Sequence, residues 1–168
     1  VNVRNDWVKW NSGYRLPTEA EWEKAARGGA SGHRFPWSDL DMIAHSLANY
    51  NSDLDVSYDL SYRGRYHPAF AVGGFPYTSP AGYFEPNDYG LYDMAGNVNE
   101  WCWDWNGTYS SGSQTDPQGP ALGSFRYVRG GGWSDSAPSC QAAKRLYFGD
   151  PTYKEFYIGF RCVLLPGQ

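Results

Sequence analysis

The chain has 168 residues, enough for one domain with a single core. Apolar residues make up 41 %, which excludes a disordered chain, and no run approaches the roughly 20 apolar residues of a membrane span. The formal net charge is −4 and no stretch is rich in Lys or Arg, which argues against nucleic acid or an anionic membrane as the main partner.

An 18 % aromatic content with 20 Gly and 11 Pro predicts many turns and irregular segments pinned by large rings, with little regular helix. The chain starts at Val1 without an initiator Met, as a processed product or a piece of a longer protein would. The three cysteines, Cys102, Cys140 and Cys162, form no CxxC pair, which excludes a zinc ribbon or a thioredoxin-type motif and favours buried structural thiols.

The first predicted element is a helix. Thr18 and Glu21 have capping-box spacing, Pro17 precedes them, acidic residues fill the first turn and Gly28-Gly29 ends the run. Trp22, Ala25 and Ala26 share one face, one large ring beside two small residues, as in a helix docked on a sheet. From Ser31 to Pro86 the chain reads as loop, interrupted by Pro36, Pro68, Pro76 and Pro80, with aromatic-acidic clusters at residues 49–59 and 77–88. A loop this long is functional or is pinned by side chains and ions. Strand signals return at residues 125–129, 143–148 and 158–164. The fold class is therefore α+β: one good helix, a small antiparallel sheet and much ordered coil.

Three blocks carry a family resemblance: YRLPTEAEWEKAARGG over residues 14–29, with FPW at 35–37 and ANY at 48–50; PNDYGLYDMAGNVNEW over 86–101; and VRGGGW at 128–133 with IGFR at 158–161. In this order they resemble the sulfatase-modifying-factor family, the formylglycine-generating enzymes and their relatives. The resemblance covers nearly the whole chain as one domain over 1–168. It implies a C-type-lectin-like fold of the formylglycine-generating-enzyme type. Family members begin well before the first block, with a strand and a further helix. The resemblance implies that this strand would pair with residues 158–164, so its absence would leave a sheet edge exposed.

Two metal sites are expected. In the segment from Asp93 to Glu100 two carboxylates flank a glycine-containing turn, offering the hard oxygens that Ca²⁺ prefers. The resemblance places the same ligands there: Asp93 and Glu100 through side chains, Gly96 and Val98 through backbone oxygens. A second family site matches Asn49 and the Tyr50 carbonyl. Its acidic ligand aligns with Gly73, with Asp53, Asp55 or Asp59 as substitutes. Irregular backbone leaves many carbonyls needing partners, which favours at least one ion.

The oxidases of the family are implied to hold copper between two cysteines five residues apart. Here the first position is Asp135 and the second is Cys140. One thiolate beside a carboxylate is a poor Cu(I) site, so copper is not expected. Gly132 replaces the motif serine, and Asn99 replaces the tryptophan before Glu100. His33, His45 and His67 have no HxxxH or HExxH spacing and read as loop or surface histidines. Cys140 reads as a half-buried cysteine on a sheet. Cys162 occupies a family position that often pairs with an upstream cysteine, and this chain has none there. Asn106-Gly107-Thr108 fits a glycosylation sequon.

Residues 133–158 combine Tyr and Phe with Ser, Gly and Asp, a composition that suits a contact surface. One branch of the family resembles the variable proteins of diversity-generating retroelements, whose contacts fall in such a C-terminal segment. The candidate contacts are Asp135, Ser136, Ser139, Tyr147, Phe148, Asp150, Tyr153, Phe156 and Tyr157. The partner is a protein, peptide or small-molecule ligand, and the opposing expectation is that these rings pack the fold. The function expected is a calcium-stabilised ligand-binding or structural module. The alternative is a metal-dependent oxidase that converts a protein cysteine to formylglycine.

Overall fold

Thr18 starts the helix as its spacing predicts: its hydroxyl accepts from the Glu21 N–H while Glu21 accepts from the Thr18 N–H. The computed structural model describes Trp10 and residues 12–61, 64–147 (Tyr147 by its backbone) and 150–164. Helix α1 (Glu19–Arg27) follows the cap and stops at Gly28, whose φ of 56° is the left-handed conformation suited to glycine. Trp22 and Ala26 on its inner face are buried with Met94, Cys102 and Ala142.

Around α1 lie six short strands. They are β1 (Tyr14–Arg15), β2 (Asn99–Trp105), β3 (Arg126–Arg129), β4 (Leu146–Tyr147), β5 (Ile158–Gly159) and β6 (Val163–Leu164). Four form one sheet in the order β4-β3-β2-β5, and β1 pairs with β6 apart from it. β2 and β5 run parallel while the other pairs are antiparallel, so the small sheet is mixed. The molecule is α+β with little regular secondary structure.

Several expectations change here. The strand over Asn99–Trp105, longest among the described residues, was not anticipated; it begins at the end of the segment read as an acidic turn and runs on past it. The run 143–148 shortens to Leu146–Tyr147, and 158–164 splits into β5 and β6. Between the two lies Arg161, which pairs with Glu100. Part of the edge expected to be left open is paired, since Tyr14 and Arg15 lie against Leu164 and Val163, while β5 is the last strand of its sheet. Phe148 lies outside the described residues.

The long loop from Ser31 onward is packed rather than loose. Phe35, Ile43, Ala48, Tyr50 and Ala95 form a second core cluster with Ala137 and Cys140. Its backbone is held by asparagines. Asn49 donates to the Tyr77 carbonyl, Asn97 exchanges two bonds with Ser79, and Asn87 donates to the carbonyls of Ala25 and Ala26 at the end of α1.

Candidate functional site

The positions of the expected cysteine pair sit just after the glycine turn that follows β3. Gly131, at φ 69°, brings the chain so close to the next turn that a Cβ there would lie 2.8 Å from the Cys140 sulfur. Cys140 closes a 3₁₀ turn (Ala137–Cys140) and is fully buried, not half-buried on a sheet as expected. Burial raises its thiol pKa far above the ordinary range, with the Asp135 charge adding to the effect. A buried, protonated thiol is a poor nucleophile.

Asp135 is occupied as well. Its Oδ2 accepts from the Gly132 N–H at 2.9 Å and from the Asn99 side-chain amide at 2.6 Å. A Cβ on Gly132 would stand 3.0 Å from that same Asn99 nitrogen. The three departures from the family pattern, Asn99, Gly132 and Asp135, are thus one hydrogen-bonded unit. Asn99 also reaches the Tyr157 carbonyl, which ties the unit to the start of β5.

Beside this unit lies a face of rings. Trp133 is buried, and its indole N–H donates to the Phe156 carbonyl at 3.3 Å. Tyr66, Phe75 and Tyr77 pack on it with ring centroids 5.6, 5.4 and 5.2 Å away. Phe75 and Phe156 are 62 % and 67 % exposed, so this face meets solvent with apolar area. The Tyr153 and Tyr157 hydroxyls lie 2.9 Å apart, and Asp150 is exposed with one oxygen accepting from Thr152. Ser136 and Ser139 are half-buried around the 3₁₀ turn. Tyr147 contributes backbone pairing to Tyr127. Phe156, Tyr153, Tyr157 and Asp150 therefore belong to one segment beside Trp133, while Asp135 holds the turn beneath it. Tyr66, Phe75 and Tyr77 were missed from sequence; the available signal was the density of rings between residues 58 and 84.

The expected calcium ligands divide. Glu100 is buried and both its oxygens accept hydrogen bonds. Oε2 accepts from Arg161 Nε at 2.5 Å and Trp22 Nε1 at 2.7 Å, and Oε1 from Arg161 Nη2 at 2.6 Å. The same guanidinium reaches the Tyr92 and Asp93 carbonyls. Asp93 accepts from the Gly82 N–H, and Gly96 pairs with Asn49 so closely that a Cβ would meet the Asn49 carbonyl at 2.3 Å. Val98 is half-buried at the entry to β2. Arg161 supplies a positive charge at this turn, while Glu100 Oε1 accepts one hydrogen bond of the two its lone pairs allow.

Asn49 fits better. Its Oδ1 is buried without a hydrogen-bond partner, an acceptor that a cation would satisfy. The Tyr50 carbonyl faces His45 Nε2 at 3.1 Å, and Asp59 bonds the Tyr50 hydroxyl at 2.5 Å. Among the described residues no group of three or more His, Cys, Asp or Glu is arranged to hold a metal.

On the far side of α1 is a cleft of about 860 Å³ lined by Glu19, Asp104, Tyr109 and Arg145 among others. Its charges are largely paired within the wall: Arg145 binds Glu19 at 2.5 Å and lies over the rings of Tyr109 and Tyr127. No helix among the described residues is long and apolar enough to cross a membrane.

Residues 5–165 match the family model described as the sulfatase-modifying factor enzyme 1-like domain. The formylglycine-generating enzyme of Thermomonospora curvata is 36 % identical over 185 residues, covering 95 % of this chain and 54 % of its own length. The serine/threonine-protein kinase pkn1 of Chlamydia pneumoniae is 38 % identical over 161 residues, 94 % of this chain and 21 % of that protein. Among solved structures, Treponema denticola variable protein 1 superposes with a TM-score of 0.73 at 35 % identity, covering 98 % of this chain and 54 % of its own. The chain thus spans about half the length of the enzyme and the variable protein it resembles.

Proposed function

This chain belongs to the family of sulfatase-modifying factor enzyme 1-like domains, and we propose that within it the chain is a ligand-binding module rather than an oxidase. The observation that carries this is the unit formed by Asn99, Gly132 and Asp135. A carboxylate stands where the first cysteine would be and is committed to two donors, while the one remaining thiol, Cys140, is fully buried. A Cu(I) centre needs accessible, ionised sulfur, and neither position offers it.

The surface is the face around residues 133–158. Phe156, Tyr153 and Asp150 stand in solvent on a segment tethered to Trp133 and Asn99, which combines exposed anchors with a fixed backbone. The likeness to a protein named a variable protein supports the same reading. The ligand is a protein, peptide or small molecule. Calcium stabilisation is part of the proposal and rests on the unpartnered Asn49 Oδ1, with the Tyr50 carbonyl as its neighbour. The acidic turn of Asp93, Gly96, Val98 and Glu100 would take a metal after losing Arg161.

The test is thermal unfolding and metal content of the purified protein, with calcium chelator and with Cu(I), beside an assay on a cysteine-containing peptide. The module predicts a chelator-induced fall in Tm that Asn49→Leu removes, no stoichiometric copper and no peptide oxidation. Copper bound one-to-one at Cys140 with turnover of the peptide would establish the oxidase instead. A Tm indifferent to chelator would remove calcium from the proposal.

A further inference from the structure

His67 lies in the long loop, one of the two readings the sequence allowed, and is buried there with both ring nitrogens engaged. The Ala69 N–H donates to Nδ1 at 3.2 Å, and Nε2 lies 2.7 Å from the His45 carbonyl. A backbone N–H can only donate and a carbonyl can only accept, so the ring is neutral with its proton on Nε2. A second proton has only Nδ1 to occupy. It would break the bond from Ala69 and set a cation against Phe70 and Phe84, whose rings lie 4.5 and 5.7 Å away.

The titratable groups facing His67 oppose that proton too. His45 is 4.9 Å away ring to ring, and its own ring is held by the Tyr50 carbonyl and the Arg65 backbone. Behind it, Asp59 is bonded to the Tyr50 hydroxyl, so that carboxylate acts on His45 rather than on His67. Burial holds the His67 pKa below its usual 6.5; the bond to the His45 carbonyl works against that shift and the His45 ring adds to it.

What this ring fixes is the wall of the aromatic face. Tyr66, its immediate neighbour, packs on Trp133 and Tyr77, and Phe75 packs on both as well. Between His67 and Tyr77 the chain forms an arc held at both ends. Tyr77 is held through its carbonyl by Asn49, a bond without a titrating partner. At the other end the His67 carbonyl accepts from the Phe70 and Ala71 N–H groups, and the titrating anchor is the imidazole, which accepts from the Ala69 N–H.

We infer that His67 is a positioning residue for the ligand face: its neutral ring holds the arc of residues 67–76 so that Tyr66 and Phe75 close on Trp133, and mild acid releases that wall. The inference rests on the binding-module reading for its significance, since the wall borders Phe156 and Tyr157. Ligand capture would then weaken in mildly acidic solution and recover on neutralisation.

The experiment is NMR of the ¹⁵N-imidazole groups and of the Phe75 ring protons, which Tyr77 and Trp133 shift through their ring currents, from pH 8 to pH 5. His67 is expected as the Nε2–H tautomer at pH 8. The Phe75 shift should be lost reversibly below pH 6.5, with the same midpoint as the His67 signal and with the β2–β3 amide signals in place. In His67→Gln, whose amide can still donate to the His45 carbonyl, the Phe75 shift should stay flat across the range. An Nδ1–H tautomer, a Phe75 shift that ignores His67 protonation, or a transition that persists in the Gln variant would each overturn the inference. Coincidence of the two midpoints in the unsubstituted protein carries the test even where the variant folds poorly. No ligand enters these readouts, so a face that binds nothing would undo the module reading and leave the loop result standing.

Discussion

Arg129 is the residue on which most charge converges. Its side chain is wholly buried at the end of β3. It pairs with Glu19 at 3.2 Å and Glu23 at 2.5 Å, donates to the Lys144 carbonyl and lies 5.7 Å from the Trp22 ring centre. One guanidinium thus joins α1, β3 and the approach to β4. A buried pair gives little net stability against an apolar replacement of equal shape, yet removing one partner strands the others. Arg129→Ala leaves Glu19 to Arg145 and Glu23 to Arg27, so the loss is partly cushioned. It should still cost about 3 kcal/mol, at the lower end of the range for a broken buried pair. Denaturant unfolding measures it, and a loss under about 1 kcal/mol, the usual worth of a surface pair, would mean that the network rearranges around the gap.

At the scale of elements, two carboxylates of β2 receive α1: Glu100 accepts from the Trp22 indole, and Asp104 meets the helix start. Asp104 from β2 accepts the Glu19 N–H at 2.7 Å, satisfying an orphan donor at the helix start. Burial pushes the Asp104 pKa up to about 6 from its usual 3.8; the Glu19 N–H works against that shift and the Glu19 charge adds to it. Because the folded pKa is the higher one, the stabilising contribution is complete below pH 3.8 and is lost as the pH rises through about 6. At neutral pH the ionised form is therefore a burden on the fold. Asp104→Asn keeps the acceptor and removes the charge, so it should raise stability at pH 7.5 by about 1–2 kcal/mol and confer no gain at pH 4. Urea unfolding at the two pH values decides it; an equal effect at both would point to packing rather than ionisation.

The elements also show where local pattern was readable. α1 was legible to within a residue because its signals are local: Thr18 and Glu21 cap each other, and Gly28 takes the left-handed turn. β2 was not, although its aromatic and polar residues alternate over EWCWDW. The acidic turn before it drew the reading toward ligands, and Glu100 turned out to answer Arg161 and Trp22 across the fold. Residues 158–164 looked like one strand because β-branched and aromatic residues suit either outcome. At the break Arg161 pairs with a carboxylate 61 positions away, a partner no local pattern announces.

Across the whole molecule, side-chain amides do the work that regular hydrogen-bond ladders do elsewhere. Asn87 donates to two carbonyls at the end of α1 and accepts from the N–H groups of Tyr89 and Leu91, so one residue closes the helix and shapes the next loop. Asn87→Ala leaves buried carbonyls and amides without partners, a penalty of roughly 1–3 kcal/mol per group reduced by whatever water enters. The variant should lose about 2 kcal/mol and become sensitive to limited proteolysis between residues 77 and 92. Unchanged cleavage with a lowered Tm would show that the loop is held elsewhere, by Asn97 and Ser79 above all.

The sequence by itself determined the family, the α+β class, the helix and the loss of the cysteine pair, because each is written in contiguous residues or in their identity. The glycine turn at residues 130–132 and the rings of 133–158 were likewise visible as a candidate face. Tertiary structure alone decided that Asn99, Gly132 and Asp135 form one unit and that Cys140 is sealed. It also decided that Tyr66, Phe75 and Tyr77 join Trp133, and that Arg161 pairs with Glu100 across the fold. The reason is physical: capping and turn geometry act within a few residues, whereas burial and charge pairing depend on neighbours that a chain of loops brings from distant positions.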